Sequence, residues 1–124
     1  MATITEDYVS FEVAKLLKEK GFDTSKIDGY FQFVYYSDGK IDFYDDDKPL
    51  FVCKAVTLQM AMKWLREIHN IFISITYEND GVFTANLKAP LKGVDCMVDN
   101  KHNCWFTYEE AAEASIKYCL ENLI

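Results

Sequence analysis

The stretch T-L-Q-M-A-M-K-W-L-R-E-I-H-N-I-F-I-S-I-T-Y, residues 57–77, changes its hydrophobic period partway along. Its first part sets Leu58, Ala61, Met62, Leu65 and Ile68 on one face at about 100° per residue, a helical period. Its second part alternates Ile71, Ile73 and Ile75 with Phe72, Ser74 and Thr76, the period of a half-buried strand. A chain that switches so abruptly must combine α and β structure. The helix predicted over residues 58–69 takes Thr57 as its N-cap and Asn70 just past its end. Met60 and Trp64 widen its apolar arc and leave only Gln59, Lys63, Arg66 and Glu67 as a polar strip. Such a helix should touch more than one element and stand at the centre of the fold.

A helix is also predicted over residues 6–20, with Thr5 as N-cap and Gly21 beyond the C-terminus. Glu6 and Asp7 complement the positive end of its dipole. Val9, Val13, Leu16 and Leu17 form the buried stripe, with Ser10 and Ala14 beside it. Tyr8 and Phe11 fall off the stripe and read first as covers over a loop, second as contact surface. Residues 30–44, Y-F-Q-F-V-Y-Y-S-D-G-K-I-D-F-Y, place Asp38-Gly39 between two β-rich runs. That is a hairpin signal, because glycine adopts positive φ at little steric cost. Phe31, Phe33 and Tyr35 share one face, and Tyr30, Val34 and Tyr36 the other. Asp45, Asp46, Asp47, Lys48 and Pro49 close the pairing, and residues 50–53 offer a short third strand.

Asn79-Asp80-Gly81 turns a second hairpin, whose return strand carries Phe83, Ala85 and Leu87 on one side. Residues 89–106 are the least regular part, with a short edge strand at 94–98. The last helix opens on T-Y-E-E, in which Thr107 and Glu110 have capping-box spacing. Ala111, Ala112, Ser115, Ile116, Tyr118, Cys119 and Leu123 make its inner face, small enough in places for a close axial approach. The order is helix, hairpin, helix, hairpin, helix within a single domain of 124 residues. The expected fold is α+β: a mostly antiparallel four-stranded sheet packed with three helices as an α/β sandwich. Residues 50–53 and 94–98 would raise that sheet to five or six strands.

Half the residues are hydrophobic and 15% aromatic, so a packed core needs neither disulfide nor metal. A formal charge of −7 repels phosphate, against nucleic-acid binding. No apolar run approaches the ~18–20 residues of a membrane span, and the N-terminus has no basic and apolar signal segment. The expectation is a cytoplasmic protein, off the membrane, whose Cys53, Cys96, Cys104 and Cys119 stay reduced.

Cys96, His102 and Cys104 form the one cluster that suggests a metal. Zinc wants four N/S ligands in tetrahedral array, usually in close pairs. There is no Cys-x-x-Cys, and a fourth ligand would have to come from Cys53 or His69. Thiols packed as small apolar groups account for the same residues, so no metal or cofactor is expected. His69 lies in the last turn of its helix, where it complements the dipole. As a general base it would need a Ser or Cys within reach, for which no spacing speaks. Asp42, Asp45, Asp46 and Asp47 lack the EF-hand progression and read as solvated charge that blocks strand pairing. The five isolated glycines form no phosphate loop.

The segments I-T-E-D-Y-V-S-F-E-V-A-K-L-L-K-E-K-G-F, T-L-Q-M-A-M-K-W-L-R-E-I-H-N and Y-E-E-A-A-E-A-S-I-K-Y-C-L-E-N-L-I together resemble a known group. It is the short uncharacterised proteins of Bacteroides-type gut bacteria and their prophages. The likeness covers the three helices; relatives often carry Ala-Pro before the middle helix, where this chain has Ala55-Val56. The group has no established activity, so the resemblance implies a phage-like accessory protein and brings no catalytic residues with it. The expected function is a non-enzymatic module that binds a protein partner. Its contact residues would be Tyr36, Tyr44, Asp45, Asp46 and Asp47, on the first hairpin and its acidic loop. The alternative is a small enzyme or metal-dependent protein using His69, His102 and the cysteines. An exposed aromatic patch ringed by acids favours the module; a pocket joining those histidines and cysteines favours the alternative.

Overall fold

A computed structural model describes residues 7–22, 33–45, 47, 50–98 and 104–124. Among them are three α-helices and two three-stranded antiparallel sheets. The chain divides into two compact units, Met1–Thr57 and Leu58–Ile124.

In the first unit, helix α1 runs Phe11–Glu19, several residues later than its predicted start. Ser10 caps it, its hydroxyl accepting from the Val13 N–H at 3.3 Å. The stretch before it is extended instead: Tyr8 bridges to Thr57, and the Val9 N–H donates to the Val56 carbonyl at 2.8 Å. This backbone pairing holds residues 8 and 9 extended, and the expected cap Thr5 lies outside the described residues. The C-terminus closes as expected, with Gly21 at φ 91°. Gly21 donates to the Lys18 carbonyl and Phe22 to that of Leu17, which is the Schellman arrangement with Phe22 buried beyond it. Val13, Ala14 and Leu17 are buried, whereas Leu16 sits half-exposed at the edge of the stripe.

Strands β1 (Phe33–Tyr35), β2 (Ile41–Phe43) and β3 (Cys53–Lys54) form the sheet of this unit, in the order β2-β1-β3. The pairing Phe33↔Phe43 and Tyr35↔Ile41 puts these four side chains on one face. Val34 and Tyr35 are both buried, so β1 is covered on both faces, while all three residues of β2 are exposed. Phe11 packs on Tyr35, ring centroids 5.4 Å apart, and lies against Gly39, where an added Cβ would come 3.2 Å from its ring. It covers the turn, while Tyr8 packs on Phe33.

In the second unit, α2 spans Leu58–His69 and is followed by β4 (Phe72–Tyr77), β5 (Phe83–Ala89), β6 (Val94–Met97) and α3 (Tyr108–Asn122). The sheet order is β4-β5-β6. Leu58, Ala61, Met62 and Leu65 are buried, and α2 contacts both α3 and β4, as its wide apolar arc requires. Ile68 departs from expectation: it is 67% exposed on the last turn. Asn70 takes the left-handed conformation at φ 54°, and the Ile71 N–H reaches back to the Leu65 carbonyl. Thr107 caps α3, accepting from the Glu110 N–H at 3.0 Å and donating its hydroxyl proton to the Glu110 carboxylate. Ala111, Ala112, Ser115, Ile116, Cys119 and Leu120 form the buried face of α3. Leu120 thus replaces Tyr118, which is 37% exposed.

The expected single four-stranded sheet is corrected to two sheets of three. Each hairpin recruits its own third strand: β3 pairs with β1, and β6 pairs with β5. Both edges of each inner strand are thereby used locally, and no ladder among the described residues joins one hairpin to the other. Trp105 extends the β6 side, exchanging two backbone hydrogen bonds with Phe83 at 2.7 and 2.9 Å.

Candidate functional site

The first hairpin turns through Ser37, Asp38 and Gly39. The Gly39 N–H donates to the Tyr36 carbonyl at 2.9 Å, and the Asp38 carboxylate accepts from the Lys40 N–H at 2.9 Å. Gly39 stands at φ 80°, the left-handed position this loop requires. The Tyr36 N–H bonds to the Lys40 carbonyl, so alternation along the ladder leaves the peptide groups of Ile41 and Phe43 facing away from β1. Among the described residues β2 is an edge strand, and at Phe43 side chains occupy the outward peptide groups. The Phe43 N–H donates to the Asp42 carboxylate at 2.8 Å, and its carbonyl accepts from the Tyr36 hydroxyl at 3.1 Å. The same hydroxyl accepts from the Asp45 N–H, and the Asp45 carboxylate accepts from the Asp47 N–H.

Phe43 is 57% exposed and Tyr44 50%, with Ile41 also exposed. Asp42, Asp45 and Asp47 are exposed beside them. Phe43 stacks on Phe33 with centroids 4.5 Å apart, and Tyr44 meets the edge of Phe51 at 5.6 Å. Of the expected contact residues, then, Tyr44, Asp45 and Asp47 stand on the surface. Tyr36 is half-buried, and its hydroxyl braces the chain from Phe43 to Asp45. Asp46 lies outside the described residues. Phe43 escaped the sequence reading, although its pairing parity with Phe33 was the signal that could have found it.

The chemistry of the alternative is spread differently. All four cysteines are free thiols. Burial raises the Cys53 thiol above its ordinary range against the opposing pull of Lys18 and Lys15. Burial, with the Cys96 thiol adding to it, pushes Cys119 up to about 12. Both stay protonated at neutral pH and make poor nucleophiles. Among the described residues no three of His, Cys, Asp and Glu gather as a metal-binding set. His102 lies outside the described residues.

His69 is half-buried at the end of α2 with its ring edge-on to Trp64, centroids 4.5 Å apart. Its Nε2 is buried and makes no hydrogen bond, so among the described residues no nucleophile is held on that nitrogen. Burial first, and Lys92 second, hold its pKa below the ordinary 6.5. Below that value the unfolded chain binds the proton that the folded chain resists. The stability linked to this group is therefore full above 6.5 and is lost as pH falls through the lower folded value. Urea titrations across this range should show a falling midpoint for the native chain and a flatter profile for His69→Phe. Parallel profiles would remove His69 as the cause.

No family model, curated protein or solved structure matches this chain significantly. Among the described residues no helix is long and apolar enough to cross a membrane.

Proposed function

We propose that this chain is a non-enzymatic interaction module that binds a basic protein surface through the outer edge of its first hairpin. One observation carries the reading: exposed Phe43 and Tyr44 stand among exposed Asp42, Asp45 and Asp47, where the outward peptide groups of Phe43 are already hydrogen-bonded. Aromatic side chains supply contact area at low entropic cost, and a rim of carboxylates selects cationic partners and speeds encounter. Since the Phe43 peptide is already hydrogen-bonded, recognition there runs through side chains and not through strand addition. The same carboxylates repel phosphate, which sets nucleic acid aside as the partner. The phage or host setting implied by the resemblance, in the cytoplasm, supplies the class of partner.

The test is comparative capture. The native chain and the variant Phe43→Ser/Tyr44→Ser/Asp45→Asn/Asp47→Asn, shown by circular dichroism to fold alike, are used as baits in extract of the native host. A directly titrated partner should be basic and should bind the variant on the order of a hundredfold more weakly, as loss of two aromatic anchors implies. A partner that binds both equally would sink the proposal. So would sub-micromolar affinity for DNA or RNA with a steep salt dependence.

A further inference from the structure

The first unit holds a cleft of about 190 Å³ between α1 and β3. Ala14, Leu17, Phe22, Phe51, Cys53 and Val56 give it an apolar lining, and among the described residues the charged ones at its wall are Lys18 and Lys54. We propose that this cleft binds a small amphipathic carboxylic acid, with its apolar tail among these side chains and its carboxylate on the Lys18 ammonium.

Size fits such a tail: an apolar cavity of about 150 Å³ is enough to take up benzene. Charge fits the head. Lys18 is fixed at the rim, its Nζ donating to the Val52 carbonyl at 2.7 Å. An ammonium has three protons to donate, and a carbonyl takes one without neutralising the charge. Among the described residues Lys18 faces no carboxylate. At the cleft floor burial dominates and raises the Cys53 thiol, while Lys18 and then Lys15 pull it in the direction that favours negative charge, so an acid's head belongs at the lysine rim and not on the floor. The chain as a whole carries −7 and repels anions, which makes a cationic rim over an apolar cleft selective for where an acid can settle. A neutral apolar ligand gains nothing from Lys18, and a cationic one is repelled by it. The cleft shares no residue with the hairpin surface, so either proposal can fail without the other.

Octanoate, octanol and octylamine, titrated separately into the full chain and followed by amide chemical shifts, test this. Octanoate should give saturable shifts centred on Ala14, Leu17 and Val56, and octylamine none. Lys18→Met, which keeps the apolar stem, should weaken octanoate about tenfold, the scale of one charge-assisted hydrogen bond. It should leave octanol unchanged, a separation that a merely structural role for Lys18 would not produce. Ala14→Leu, which fills the cleft, should abolish octanoate shifts. The proposal falls if octanoate gives no saturable shifts, if octanol binds the native chain as tightly, or if Lys18→Met binds octanoate unchanged.

Discussion

Leu65→Ala should destabilise the protein by about 2–5 kcal/mol, through lost transfer energy and the cavity left behind. Leu65 is fully buried on α2, the helix that packs on both α3 and β4. The closure of the helix survives the change, because the Ile71 N–H bonds to the Leu65 backbone carbonyl and not to its side chain. Urea denaturation of Leu65→Ala beside Ile68→Ala separates packing from helix propensity. Ile68 lies three residues on but is 67% exposed, and its truncation should stay within about 0.5 kcal/mol. Equal losses at the two sites would show that the buried face is misassigned.

The second large effect is expected from enlargement. Ala111 and Ala112 are fully buried on α3, which packs on α2, β4 and β5, and such small side chains permit a close approach. Ala112→Leu has no space to enter and should cost about 1–3 kcal/mol by forcing rotamers or backbone apart. Thermal denaturation should show this as a lowered midpoint, while Glu121→Leu on the exposed side leaves the midpoint nearly unmoved. An unchanged midpoint for Ala112→Leu would mean that the helix is not seated against the sheet. Ser115, on the same buried face, meets no penalty of its own, since its hydroxyl donates to the Ala111 carbonyl at 2.7 Å.

Three helices, both hairpin turns and the capping pair Thr107–Glu110 were legible because each depends on residues close in sequence. Periodicity shows which face of α2 is apolar, and Gly21 and Asn70 mark where helices must stop. What was hidden depends on distant partners. Thr5 is as good a cap as Ser10 by composition, and the backbone bond from Val9 to Val56, which keeps the stretch before Ser10 extended, joins residues far apart in sequence. The division into two sheets follows from β3 choosing β1, a pairing of two residues with no signature in local pattern. At the candidate site the acids and Tyr44 were readable from composition. The bracing role of Tyr36 was not, because it rests on a hydroxyl reaching across the hairpin to the peptides of Phe43 and Asp45.

That bracing separates two properties that usually compete in exposed β structure. A strand with unpaired peptide groups and apolar side chains is prone to stack with copies of itself into fibrils, so its surface is normally constrained to stay charged. Here the outward N–H and carbonyl of residue 43 are held by the side chains of Asp42 and Tyr36, whatever ring residue 43 carries. Substitution of the exposed ring at 43 therefore leaves the backbone closed at that position.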